Sequence, residues 1–192
     1  LASVMAGLED SKFKITDLVN ANGSYFIAGG KLSDSNHGMG YGRITIKKAF
    51  EKSSNVIAQI MYRAYRSEPQ KFLDRLAQFG LTEKLGIDIE GEKKPYVPQL
   101  GTPGWSAMSI PWMSIGYELK QSPLQTLAFY NAVANNGTLV RPQFVQQIKR
   151  SGNVIKTFKP VIIKDQICSK STLAVMRSCL EGVMTHGTGH DL

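Results

Sequence analysis

Ala49-Phe50-Glu51-Lys52-Ser53-Ser54-Asn55-Val56-Ile57-Ala58 sets a Ser-x-Asn triplet between two apolar patterns of helical period. A serine and an amide side chain two residues apart converge on one pocket only where the backbone turns, and a helix-to-helix junction supplies that turn. The flanking patterns predict helices over about Thr45 to Lys52 and Val56 to Tyr65. Serine acyl transfer needs a nucleophile, a base, a relay that protonates the leaving amine, and donors for the oxyanion. Ser53 as a proton relay and Asn55 as an amide that binds base and substrate would supply part of that set. The plain structural alternative makes Ser53 the N-cap of the following helix. A second triplet, Ser151-Gly152-Asn153, lies between two strand patterns and reads as a turn.

Outward from the triplet, helices dominate. Ser67-Glu68-Pro69-Gln70 and Ser122-Pro123-Leu124-Gln125 both place Gln three residues after Ser with Pro in the first turn, the capping-box pattern. The first predicts a helix through Phe72, Leu73, Leu76 and Phe79 to Gly80. The second runs through Leu127, Ala128, Tyr130 and Ala134 to Asn135-Asn136-Gly137, where Gly can take a left-handed stop. A third is predicted from about Ser171 to Met184, and Leu1 to Leu8 reads as the body of an apolar helix. Strands are peripheral: Ser24 to Ala28, and Phe144 to Ile148 turning at Ser151-Gly152-Asn153 into Val154 to Phe158. Glu90 to Gly104, rich in Pro and Gly, reads as a long loop.

Lys and Arg outnumber Asp and Glu by 23 to 15 in 192 residues, a net charge of +8. The basic residues are scattered without aromatic interleaving, which argues against a nucleic-acid role. Cys168 and Cys179 have neither Cys-x-x-Cys spacing nor a histidine cluster beside them, so no metal or other cofactor is expected. With Cys179 deep in a helix that begins after Cys168, a disulfide between them is out of reach, and two free thiols are expected. The single Ser-x-x-Lys, Ser11-Lys12-Phe13-Lys14, trails the apolar helix among charged residues, a poor setting for an activated lysine. His186-Gly187-Thr188-Gly189-His190 lacks the cation of a Lys-Thr-Gly strand and the ending of a phosphate loop, and it reads as a glycine-rich helix stop.

Several segments together resemble the class B penicillin-binding protein transpeptidase domain, especially the cell-division type. They are Leu1 to Glu9, Gly42-Arg43-Ile44-Thr45-Ile46-Lys47-Lys48-Ala49-Phe50, Lys52 to Val56, Ser114-Ile115-Gly116-Tyr117, Ser122 to Leu127, Ala134 to Gly137, and Arg141-Pro142. The resemblance covers nearly the whole chain. It implies an α+β fold, predominantly helical, with peripheral β-hairpins and an incomplete central sheet. Residues 1–192 would form a partial transpeptidase domain: 1–9 the remainder of the nucleophile helix, 42–80 the helical part with Ser-x-Asn, 81–121 a long loop region, and 122–192 helix, hairpin, helix. The family's Ser-x-x-Lys would lie before Leu1 and its Lys-Thr-Gly strand after Leu192. Only the middle motif carries over, onto Ser53 and Asn55 as catalytic residues.

The resemblance further implies cross-linking of peptidoglycan stem peptides through an acyl-serine intermediate, with β-lactams acylating the same serine. It implies partners in division or elongation complexes and a place on the extracytoplasmic face of the cytoplasmic membrane. The chain alone is expected to be inactive, and apolar faces left without a sheet are expected to favour a homo-oligomer. Two rivals stand beside this reading. One is a working acyltransferase built on Ser11 and Lys14 with Ser53; the other is a non-enzymatic helical binding module for an acidic polymer or partner protein.

Overall fold

The structure, a computed structural model, describes residues 1–190. Helix α1 (Ala2–Glu9) leads into strands β1 (Leu18–Ala21), β2 (Ser24–Ile27), β3 (Gly30–Ser33) and β4 (Gly42–Thr45). Helices α2 (Ile46–Glu51), α3 (Val56–Tyr65), α4 (Pro69–Gln78), α5 (Ser109–Ser114) and α6 (Pro123–Ala134) follow. Strands β5 (Leu139–Val140), β6 (Gln147–Arg150), β7 (Asn153–Thr157) and β8 (Ile162–Lys164) precede the final helix α7 (Lys170–His186). Among the described residues the strands form four separate antiparallel pairs, β1–β4, β2–β3, β5–β8 and β6–β7, so the fold is a helix-rich α+β arrangement without a central sheet.

Helix α3 is the axis of the molecule, packed by α1, α2, α4, α5 and strands β1 and β2. Val56, Ile57, Ala58, Met61 and Tyr65 are buried, and their spacing covers much of the helix circumference. Tyr65 meets Phe72 of α4 with ring centroids 5.4 Å apart, and Phe79 stacks on Phe129 of α6 at 6.2 Å. The buried positions of α7, Leu173, Met176 and Cys179, recur at helical spacing and carry that helix against α2. Cys168 and Cys179 are free thiols, pushed up by burial to about 12 and about 11.

Two adjacent carboxylates at the end of α1 tie it to its neighbours. Glu9 accepts hydrogen bonds from the backbone N–H and hydroxyl of Ser169 and from the Thr172 hydroxyl, at the N-terminus of α7. Asp10 accepts from Arg75 of α4, at 2.9 Å from Nε and 2.7 Å from Nη2, and from the Tyr65 hydroxyl at 2.7 Å. Burial alone would push both carboxyls up. The hydrogen bonds outweigh it and hold both below the usual carboxylate range.

The structure corrects three local expectations. The segment expected to open the helical part at Gly42 begins with a strand, paired from Gly42 opposite Ala21 to Thr45 opposite Leu18. Four residues are too few for a period to show, and the partner lies beyond an intervening hairpin. Ser67 does not cap α4: the N-cap is Glu68, with no side-chain hydrogen bond. Pro69 takes the first helical position, so the cap falls on the residue directly before it. At Ser122 the serine is that residue, and there the reciprocal capping box with Gln125 forms. Finally, the expected loop region 81–121 contains α5, which holds Pro111 in its first turn, where a missing N–H removes no intrahelical bond.

Candidate functional site

The junction of α2 and α3 is a Schellman stop. With Lys52 as the C-cap, Ser53 N–H donates to Phe50 O at 3.0 Å and Ser54 N–H to Ala49 O at 2.9 Å. That pattern places Ser53 in the left-handed region, at φ +53°. Glycine is the usual occupant of such a position, and a side chain there costs about 1–2 kcal/mol. Ser53 is exposed, and its hydroxyl makes no hydrogen bond among the described residues. It therefore does not cap α3, whose N-cap is Asn55.

Asn55 is held from the β2–β3 hairpin. Its Nδ2 donates to the Ser33 carbonyl at 2.7 Å and its backbone N–H to Asp34 Oδ1 at 2.6 Å. The buried Asp34 carboxylate also accepts from the Ser54 hydroxyl at 3.1 Å and the Tyr25 hydroxyl at 3.0 Å. Tyr25 and Ser54 are themselves 3.2 Å apart, which closes the network. From the other side the Tyr41 hydroxyl donates to Lys52 O at 3.3 Å. The turn carrying Ser53 is thus fixed on both flanks while the serine side chain stays open, the arrangement a reactive or binding hydroxyl needs.

Asp34, Tyr25 and Ser54 do not stand out in the sequence. Asp34 sits in Ser33-Asp34-Ser35-Asn36, where every residue is a turn former, and nothing local separates a buried acceptor from an ordinary turn carboxylate.

The rival pair is placed differently. Ser11 and Lys14 are both exposed after the end of α1, with Ser11 at φ +52°, and no hydrogen bond joins them among the described residues. They line a cleft of about 600 Å³ with Leu8, Phe13, Ser171 and Val175. Neither Ser53 nor Asn55 lines it. His186 ends α7, and Gly187 follows as its C-cap, as the glycine-rich stop requires.

Residues 1–191 match the family model of the penicillin-binding protein transpeptidase domain, and the chain belongs to that family. It is 29% identical over 187 residues to penicillin-binding protein PbpB of Mycolicibacterium smegmatis, a match covering 96% of this chain and 28% of the relative. A crystal structure of penicillin-binding protein 3 from Mycobacterium tuberculosis superposes with a TM-score of 0.77 at 26% identity, over 95% of this chain and 40% of that one. The same protein complexed with ampicillin gives 0.77 at 26% identity, over 95% and 39%. The chain spans under a third of the length of the PbpB relative.

Proposed function

We propose that this chain is the part of a peptidoglycan D,D-transpeptidase that carries the relay serine and the substrate-binding amide, Ser53 and Asn55. In the longer protein a serine outside this chain attacks the carbonyl between the two terminal D-alanines of a stem peptide and expels the last D-alanine. An amine of a neighbouring stem peptide then takes the acyl group. Ser53 Oγ passes the proton between nucleophile and leaving or attacking nitrogen, and Asn55 donates to the substrate amide. β-Lactams enter as substrate mimics of the same serine. The protein works on the extracytoplasmic face of the membrane in a division or elongation complex; among the described residues no helix is long and apolar enough to cross a bilayer.

The observation that carries the reading is the geometry of the Ser53–Asn55 turn: an exposed, unbonded hydroxyl lies two residues from an amide side chain, in a helix junction fixed from one side by Ser33 and Asp34 and from the other by Tyr41. Family membership supplies the chemistry such a hydroxyl would serve. The test is intact mass after incubation with a reporter penicillin. The longer protein is expected to gain one penicilloyl group and the 192-residue chain none. Acylation of the short chain would instead point to Ser11.

A further inference from the structure

We propose that Glu51 is a positioning residue for this site, locking the Ser53–Asn55 turn to the end of α7 and to the Gly187–Gly189 loop. The inference rests on the transpeptidase reading above. Glu51 is the last residue of α2, and its side chain is 2% exposed. A carboxylate at a helix C-terminus faces the negative end of the helix dipole. Its surroundings offset this only in part. Oε2 lies 3.1 Å from His186 Nε2 and accepts from Lys48 Nζ at 3.4 Å. Oε1 has Lys47 Nζ at 3.9 Å and makes no hydrogen bond among the described residues. A buried carboxylate with an unbonded oxygen costs stability, and an apolar residue would fill the place more favourably. That cost calls for another role.

The main chain shows what the carboxylate joins. Thr188 N–H donates to Glu51 O at 3.1 Å, and Lys52 Nζ donates to His186 O at 3.0 Å. Helix α7 is shaped to admit this contact: a Cβ on Gly182 would overlap Glu51 Oε1, and one on Gly187 would overlap Glu51 O. Two glycines of one helix end thus meet the side chain and the carbonyl of a single residue. Only Lys52 separates that residue from Ser53. A displacement of Glu51 therefore moves the serine turn and the glycine loop relative to each other, without Glu51 touching substrate.

The test compares the unaltered longer protein with Glu51→Gln and His186→Ala. The maximal acylation rate and the half-saturating concentration of a reporter penicillin are measured, with melting temperature alongside. The His186 side chain is 55% exposed, and Lys48 Nζ at 3.4 Å still faces Glu51 Oε2 without it, so a folded variant is expected. We expect His186→Ala to lower the maximal rate by about 10-fold, with the half-saturating concentration nearly unchanged and the melting temperature lower by only a few degrees. Glu51→Gln, which keeps the shape and one acceptor oxygen, should fall between it and the unaltered protein. In the 192-residue chain, amide exchange at Thr188 and at Ser53 to Asn55 should rise together in Glu51→Gln. Unchanged acylation in both variants, or exchange that rises at Thr188 alone, overturns the proposal. Failure of the unaltered longer protein to acylate would sink the transpeptidase reading instead, and the exchange experiment would still decide whether the lock exists.

Discussion

Ser53→Gly is expected to leave the fold as stable as before, or more stable by up to about 1 kcal/mol, while slowing acylation of the longer protein about 100-fold. The two halves have separate causes. Ser53 holds φ +53° in the Schellman stop after α2. Glycine removes the steric cost of that conformation, about 1–2 kcal/mol, and returns part of it as extra freedom of the unfolded chain. No hydrogen bond is lost, because the Ser53 hydroxyl makes none among the described residues. The chemistry has no such compensation, since a positioned proton-transfer group typically contributes about 10²–10⁴-fold. Thermal melts and acylation rates on the same variant check both halves. A variant that is markedly less stable, or that acylates at the unaltered rate, would remove Ser53 from the mechanism.

Asp34→Ala should have the opposite profile. The carboxylate accepts from Asn55 N–H, the Ser54 hydroxyl and the Tyr25 hydroxyl inside the protein. Alanine leaves three donors without their acceptor, at about 1–3 kcal/mol for each that stays buried. A loss of roughly 3–5 kcal/mol is expected, a large share of the 5–15 kcal/mol typical of a domain. Asp34→Asn retains one acceptor oxygen and should lose less. Denaturant melts of the two variants read the difference. Equal, small losses would mean that water replaces the carboxylate and that Asp34 does not hold the Asn55 backbone.

These two residues also mark what the sequence could reveal. The Ser-x-Asn turn was legible because it interrupts two strong helical periods, and α3, α4 and α7 follow their apolar spacing closely; α6 forms where its capping box predicts, but Leu127 and Tyr130 of its expected apolar face are exposed while Phe129, Ala132 and Val133 are buried. The Ser122 capping box and the β6–β7 hairpin were legible because their signals are local, although β6 begins at Gln147 and not at Phe144. Strands β1 and β4 pair across an intervening hairpin, with four residues each, and carry no period of their own. Helix α5 hides behind Pro111, which its first turn accommodates. Asp34 and Glu51 are invisible as site-shaping residues because their roles come from burial and distant partners. Glu51 reads as one more charge on an amphipathic helix until α7 folds over it.

The central claim is that Ser53 and Asn55 face the reacting group. The measurement that tests it most directly is a crystal structure of the longer protein acylated by a penicillin. The account predicts Ser53 Oγ and Asn55 Nδ2 each within about 2.6–3.2 Å of a polar atom of the nucleophile, its lysine or the bound drug. Asn55 would have to turn Nδ2 away from the Ser33 carbonyl, or bridge the two. Both side chains pointing into solvent on the far side of the turn from the acyl group would contradict it.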